Sequence, residues 1–156
     1  MMVYERAVHF EEVDGANIVF FARYVHYAHE AMEHFFSPLE GGYPHLTMVR
    51  KVGFPAVEMH VRWISPLRYG DTVRIETSIP RLGKRSFSLR YRMLRVRGGE
   101  QVCEIVHDVV TCDLVAIRSI DMPDDVRAQI ARHVDPSEAR ADAGVGPDTV
   151  RQEPPK

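Results

Sequence analysis

The spacing of apolar and polar residues changes along the chain, and each change marks an element. Val3 to Phe10 reads as a first strand, and the segment Glu11-Glu12-Val13-Asp14-Gly15-Ala16-Asn17 carries the Asp-Gly and Asn signals of a turn. From Phe20 onward, Phe20, Tyr24, Tyr27, Ala28, Ala31 and Phe35 recur at helical spacing, while Arg23, His26, Glu30, Glu33 and His34 take the other faces. This pattern predicts one long amphipathic helix. Ser37-Pro38 ends it, because proline disfavours helical backbone in the residue before it and cannot donate into the ladder. A loop from Leu39 to Leu46, with Gly41, Gly42 and Pro44, follows.

Beyond Pro55 the period falls to two. Val57, Met59, Val61 and Trp63 alternate with Glu58, His60 and Arg62, the pattern of a half-buried strand. After a turn over Pro66 to Asp71, Val73, Ile75, Thr77 and Ile79 alternate with polar residues, and past Gly83 so do Phe87, Leu89, Tyr91 and Met93. Gly98-Gly99 then supplies a hairpin turn into a strand expected from Gln101 to Ile117. Asp121 to His133 predicts a short terminal helix, with Pro123 and the acids after it suited to its first turn. Residues 134–156 turn to Pro, Ala, Asp, Glu and Gly without apolar periodicity, so the reading is a domain over 1–133 and a disordered tail over 134–156.

The order is strand, long helix, then consecutive antiparallel strands: an α+β pattern in which a sheet of about five strands wraps one helix. A single helix covers a single sheet face. The other face is solvated or buried against another subunit, which predicts a homo-oligomer.

Composition narrows the function classes. At 156 residues, 45% hydrophobic and 27% charged, the chain is of ordinary globular make-up and long enough for a continuous core. The net charge of -2 does not suit nucleic-acid binding by bulk charge. No stretch approaches a membrane span and Met1 to Phe10 lacks a secretory apolar region, so the expected location is the cytoplasm, with no membrane partner. Cys103 and Cys112 lie an odd number of residues apart in one apolar run, so they are expected on opposite faces of a strand, unpaired and inert.

The stretch Phe10-Glu11-Glu12-Val13-Asp14-Gly15-Ala16-Asn17-Ile18-Val19-Phe20-Phe21-Ala22-Arg23-Tyr24 resembles the N-terminal signature of the 4-hydroxybenzoyl-CoA thioesterase family. Ile64-Ser65-Pro66-Leu67-Arg68-Tyr69-Gly70-Asp71 resembles that family's Pro-Leu-x-x-Gly-Asp turn, and Gly83-Lys84-Arg85-Ser86-Phe87 the segment opening its next strand. The resemblance runs from about Val3 to about Ile130. It implies a hotdog fold, hydrolysis of an acyl-CoA thioester, and an active site formed between the subunits of a homodimer or homotetramer. Residue by residue, it implies that Asp14 is the catalytic carboxylate and that the backbone N–H of Phe21 polarises the thioester carbonyl. The chain departs from the family pattern at Asn17, where Gly is common, and at His29, where the aryl-CoA member carries an acid contacting the ring hydroxyl.

The chemistry agrees with these positions. Thioester hydrolysis needs a carboxylate that attacks the carbonyl or activates water, and donors for the developing oxyanion. A helix start concentrates unsatisfied N–H groups, and the apolar run Ile18 to Phe21 excludes water around them. Without the resemblance, Asp14 beside Gly15 reads as a turn former or helix cap. Tyr24, otherwise a core aromatic, is a candidate lining residue of the acyl pocket. Coenzyme A carries phosphates, so Lys84 and Arg85, with Ser86 beside them, are candidate substrate contacts; periodicity alone places them with Arg90 and Arg92 on a solvated strand face. His29-Glu30-x-x-Glu33 lacks the second histidine of a zinc helix, and neither a metal nor any other cofactor is expected. His60 and His107 fall on strands without a nucleophile motif and are read as structural. Two alternatives stand beside the acyl-CoA thioesterase: a non-catalytic protein that holds acyl thioesters in the same groove, and a thioesterase acting on acyl-carrier-protein thioesters. A hotdog hydratase is disfavoured because no Asp-x-Asn-Pro-x-x-His pattern occurs.

Overall fold

The computed structural model describes residues 1–135 and Ser137. The expected tail, 134–156, thus lies outside the described residues except for Val134, Asp135 and Ser137.

Strands β1 (Met2–Ala7), β3 (Ala56–Trp63), β4 (Thr72–Leu82), β5 (Ser86–Arg95) and β6 (Gln101–Val110) form one antiparallel sheet in the order β1-β4-β5-β6-β3. Helix α1 (Arg23–Phe35) packs on one face of it. The inward side chains are those the alternation selects: Val73, Ile75, Thr77 and Ile79 of β4, Phe87, Leu89, Tyr91 and Met93 of β5, and Cys103, Ile105, His107 and Val109 of β6 are all buried. Against them α1 sets Tyr24, Tyr27, Ala28, Ala31, Met32 and Phe35. Burying each large apolar side chain is worth about 1.5–3 kcal/mol, so the helix is held by this stripe more than by its own propensity. The opposite face is polar. Arg74 and Arg92 pair with Glu76, and Arg62 with Glu104, at 3.4 to 3.7 Å.

Several local expectations are corrected. The first strand stops at Ala7, and Phe10–Glu12 forms a single 3-10 turn. The helix starts at Arg23, so Phe20 is not part of its buried stripe: its N–H is drawn to the Glu12 carbonyl (3.0 Å) and its side chain is 50% exposed. The loop expected over 39–46 contains the short helix α2 (Gly42–Pro44), continued by a π-type turn, His45–Val49, and introduced by Gly41 at φ 66.

The strand expected over 101–117 breaks after Val110. There the Thr111 N–H turns to the Arg85 carbonyl (2.6 Å), and Asp113 Oδ1 accepts the N–H groups of Val115 and Ala116 (2.8 and 3.0 Å) to close a turn. The chain then makes β7 (Cys112–Asp113) and β8 (Arg118–Ser119), which join β2 (Val52–Gly53) in a second, three-stranded sheet. Cys103 and Cys112 therefore sit on different strands of different sheets, both buried and free. Burial pushes the Cys103 thiol up to about 12, which makes it a poor nucleophile. Helix α3 (Asp124–Ala131), begun by Pro123, closes the far end of the sheet, and the Arg50 guanidinium meets Asp125 with two bonds of 2.6 and 2.9 Å.

β3 is less buried than its alternation suggests. It is the last strand of the sheet, and its two ends are open, Val57 at 70% and Trp63 at 49% exposed, while Met59 and Val61 between them pack partly buried on the core. Among the described residues no helix is long and apolar enough to cross a membrane.

Candidate active site

The turn between β1 and α1 is built around Asp14. Its Oδ1 accepts the N–H groups of Ala16 (2.8 Å) and Ile18 (3.2 Å), and its own N–H donates to the Ile18 carbonyl (2.9 Å). Within this loop Asn17 takes the left-handed region, at φ 57, and its N–H donates to the Asp14 carbonyl (2.9 Å). This explains how Asn serves where the family commonly has Gly: it is one of the few side chains that tolerates that region, and its Oδ1 also accepts the Tyr69 N–H (3.4 Å). The carboxylate is exposed, and among the described residues no cation pairs with it.

The Pro66-to-Asp71 turn holds this loop in place. Leu67 is fully buried, its carbonyl accepts the Val19 N–H (2.9 Å) and its N–H donates to the Tyr24 hydroxyl (3.0 Å). Gly70 at φ 91 lets the turn close, and Asp71 accepts the Arg68 N–H (2.9 Å) and pairs with Arg95 (3.2 Å). Two of the sequence landmarks are thus one structural unit, joined through Val19, Leu67 and Tyr24.

Between the loop and the sheet edge lies a cleft of about 280 Å³ lined by Ile18, Val19, Phe21 and Tyr24 on one side and Trp63, Ile64, Ser65 and Pro66 on the other. Its wall is largely apolar, with three aromatic rings among its eight residues. Phe21 and Trp63 stand edge to face with centroids 6.0 Å apart, and the Trp63 indole N–H donates to the Phe21 carbonyl (3.3 Å). The Phe20 N–H goes to Glu12, the Arg23 N–H to Phe20 and the Val25 N–H to Ala22; no turn, loop or cap bond of the described residues uses the Phe21 N–H. The Phe21 N–H, in the turn just before the Ala22 cap of α1, is thus a backbone donor outside those bonds.

Of the residues singled out from sequence, Phe21 and Tyr24 line this cleft, and Asp14 lies one hydrogen-bonded turn away through Ile18. Tyr24 is buried and its hydroxyl is engaged by Leu67, so its ring faces the cleft as an apolar wall; burial pushes its phenol above the usual range. Trp63 and Ser65 were not foreseen as site residues. Trp63 read as an inward strand residue, and the only clue was an unusually large aromatic immediately before the turn.

Lys84, Arg85 and Ser86 sit elsewhere, in the turn between β4 and β5. Lys84 Nζ and Arg85 Nε both contact Asp121, at 3.0 and 2.6 Å, and hold its carboxyl below the ordinary range, Arg85 first. Ser86 is absorbed by the turn: its carbonyl accepts the Gly83 N–H (2.8 Å) and its hydroxyl accepts from Arg81 (3.1 Å). A second, more polar cleft of about 420 Å³ opens here between Gly83, Lys84, Asp121 and Arg127. The two clefts lie toward opposite ends of β4, an eleven-residue strand about 33 Å long. Among the described residues no group of three or more His, Cys, Asp or Glu is placed to hold a metal ion.

Comparison with known proteins gives these features a context. Residues 8–130 match the profile of the thioesterase-like superfamily. A 1,4-dihydroxy-2-naphthoyl-CoA hydrolase from Thermosynechococcus vestitus is 28% identical over 125 residues, which is 80% of this chain and 85% of that protein. Among solved structures, a gentisyl-coenzyme A thioesterase is 30% identical and superposes with a TM-score of 0.73 over 83% of this chain and 99% of its own. A 4-hydroxybenzoyl-CoA thioesterase complexed with 4-hydroxybenzoyl-CoA superposes with the same TM-score, 0.73, over 83% of this chain and 97% of its own; at 22% identity it speaks for the fold alone.

Proposed function

The chain belongs to the thioesterase-like superfamily and is a thioester hydrolase with the hotdog fold; from that premise we propose that it hydrolyses aryl thioesters of coenzyme A, as a member of the 4-hydroxybenzoyl-CoA thioesterase branch, with Asp14 as its catalytic carboxylate. The observation that carries the reading is the Asx turn. It fixes one carboxylate oxygen on the Ala16 and Ile18 N–H groups, near an apolar cleft and the Phe21 N–H, which lies in the turn before α1 and makes none of the turn, loop or cap bonds. In the reaction the acyl carbonyl oxygen sits on the Phe21 N–H, and the free edge of the Asp14 carboxylate attacks the carbonyl carbon or takes a proton from the attacking water. In the general-base route the C–S bond then breaks and the thiolate takes the proton that Asp14 removed from water. In the nucleophilic route the thiolate leaves first, water then cleaves the acyl–Asp14 anhydride to the free acid and the Asp14 carboxylate, and a proton released from that water completes the thiol. Phe21, Tyr24 and Trp63 present flat apolar surface suited to an aryl group, and the relatives named above act on hydroxyaryl-CoA esters.

The working unit in this reading is a homo-oligomer whose site spans two copies. Ala56 of β3 pairs with Val109, which also pairs with Phe87, so the Ala56 end of the open edge lies beside the Lys84–Ser86 turn; the Trp63 end lies at the aromatic cleft. Two β3 edges joined antiparallel across a two-fold axis set the Lys84–Ser86 end of one copy against the Asp14 end of the other. Lys84 and Arg85 then meet the phosphates of a coenzyme A whose thioester lies in the neighbouring cleft, with Ser86 shaping the turn.

The test assays wild type and Asp14→Asn on a panel of 4-hydroxybenzoyl-CoA, gentisyl-CoA, 1,4-dihydroxy-2-naphthoyl-CoA and fatty-acyl-CoA esters by thiol release. Turnover of an aryl ester, with a loss of at least ~10²-fold in kcat in the variant, supports the reading. Full activity in Asp14→Asn removes the carboxylate from the mechanism, and preference for fatty acyl groups removes the aryl assignment.

A further inference from the structure

A buried charge network lies immediately upstream of Asp14, and the proposed mechanism does not use it. Glu12 is 5% exposed. Its Oε1 meets Arg6 of β1 at 2.7 Å, and its Oε2 accepts the Tyr27 hydroxyl of α1 (2.9 Å) and the His9 N–H (2.7 Å). Arg6 is itself nearly buried, lies 4.2 Å from the Tyr27 ring centroid, and reaches Glu30 at 2.9 Å; Tyr4 closes the chain of contacts on Glu30 at 3.0 Å.

Buried ion pairs add little net stability over well-packed apolar residues, since desolvation offsets the attraction, so such a network calls for another account. The backbone of Glu12 supplies one. Its carbonyl accepts the Phe20 N–H (3.0 Å), and the next residue, Val13, bridges to Val19. Glu12 thus stands two residues before the proposed catalytic carboxylate and holds the residue just before the proposed oxyanion donor.

We infer that Glu12, pinned by Arg6 and Tyr27, is a positioning residue for thioester hydrolysis: it sets the distance between Asp14 and the Phe21 N–H by tying their shared loop to β1 and α1 at one point. The inference rests on the reading of Asp14 and Phe21 given above. Burial alone would raise the Glu12 carboxyl, but the His9 N–H, the Tyr27 hydroxyl and the Arg6 charge together hold it below the usual range, so it is ionised at neutral pH and the clamp is closed. Loss of the clamp is expected to act on kcat, because misplacing reacting groups by about 1 Å costs up to ~10²-fold while leaving the aryl and nucleotide contacts, and hence KM, in place.

Glu12→Gln keeps the shape and removes the charge; Tyr27→Phe removes one bond and keeps the packing. Both are assayed for kcat and KM on 4-hydroxybenzoyl-CoA, gentisyl-CoA and 1,4-dihydroxy-2-naphthoyl-CoA, beside Asp14→Asn and beside Ile130→Val, a core trimming in α3 that lowers stability far from the loop. The expected result is a fall in kcat of ~10-fold or more in Glu12→Gln and a smaller fall in Tyr27→Phe. KM stays within about twofold, and the double variant is no worse than Glu12→Gln alone, because the pair acts as one unit. If the two Glu12-network variants lower the melting temperature as Ile130→Val does and leave kcat at the wild-type value while Asp14→Asn is inactive, the clamp is only structural and the inference falls alone. If Asp14→Asn keeps full kcat, the proposed mechanism and this inference fall together.

Discussion

The two ends of the long strand β4 hold opposite kinds of site. At the Thr72 end, a carboxylate is presented by backbone N–H groups beside an aromatic cleft, and the loop beneath it is bound by buried bonds to β1, α1 and the Pro66-to-Asp71 turn. At the Leu82 end, two exposed cationic side chains share one exposed acid beside a more polar cleft. Rigid placement is what bond-making requires, whereas capture of a phosphate tolerates long side chains and competes with solvent. The comparison teaches that the two ends differ in how firmly their polar groups are held: backbone N–H groups fix one Asp14 oxygen, whereas Lys84 and Arg85 share a single exposed partner. In the reading proposed above, the two ends serve one ligand only where copies pair antiparallel along β3 across a two-fold axis.

The sharpest way to break that picture is to break the pairing. Val61→Lys sets a charge on the inward side of the open edge, and it is expected to dissociate the oligomer and cut kcat/KM by ~10²-fold or more with Asp14 untouched. Sedimentation and thiol-release assays check this together, and an active monomer would show that each copy carries a complete site. A smaller effect tests the other end: Lys84→Ala with Arg85→Ala is expected to raise KM for coenzyme A esters ~10-fold at unchanged kcat, and to leave a pantetheine thioester, which lacks the nucleotide phosphates, unaffected. Equal losses on both substrates would return these side chains to the solvated surface.

The weakest expected effect concerns the core that separates the two ends. His107 is buried in it with no partner for Nε2 among the described residues, and burial holds its imidazole below the ordinary range. On acidification the unfolded chain therefore takes up the proton first. Stability is full above the ordinary imidazole value near 6.5 and declines as the pH falls toward the folded value. The melting temperature is expected to drop between pH 7.5 and 5, by about 2–8 °C for each kcal/mol lost, and His107→Leu is expected to flatten that dependence. His133, lowered by the same cause, leaves a residual slope.

Much of the fold was legible in the chain. Alternation over Val73 to Ile79 and Phe87 to Met93 identified strands and their buried faces, because side-chain direction in a strand follows from its period alone. Helical spacing from Tyr24 to Phe35 did the same for α1. Errors fell where a long-range bond overrides local pattern: at Phe20, whose N–H is held by Glu12, and at Thr111, whose N–H is held by Arg85. The site was legible in part. Asp14, Phe21 and Tyr24 stand close together in sequence and were singled out through their motif, whereas Trp63 and Ser65 come to line the same cleft from forty residues away across the sheet edge.

The sequence by itself determined which faces are buried, where the chain turns and that Asp14 sits in the turn between the first strand and the helix, since periodicity, turn residues and motif spacing are local properties. Only the tertiary structure decided that Lys84 and Arg85 lie a strand's length from Asp14, that β3 is an open edge, and that Glu12 is buried on Arg6 and Tyr27. Those depend on strand order and register, which are set by how distant apolar faces pack and not by any segment alone.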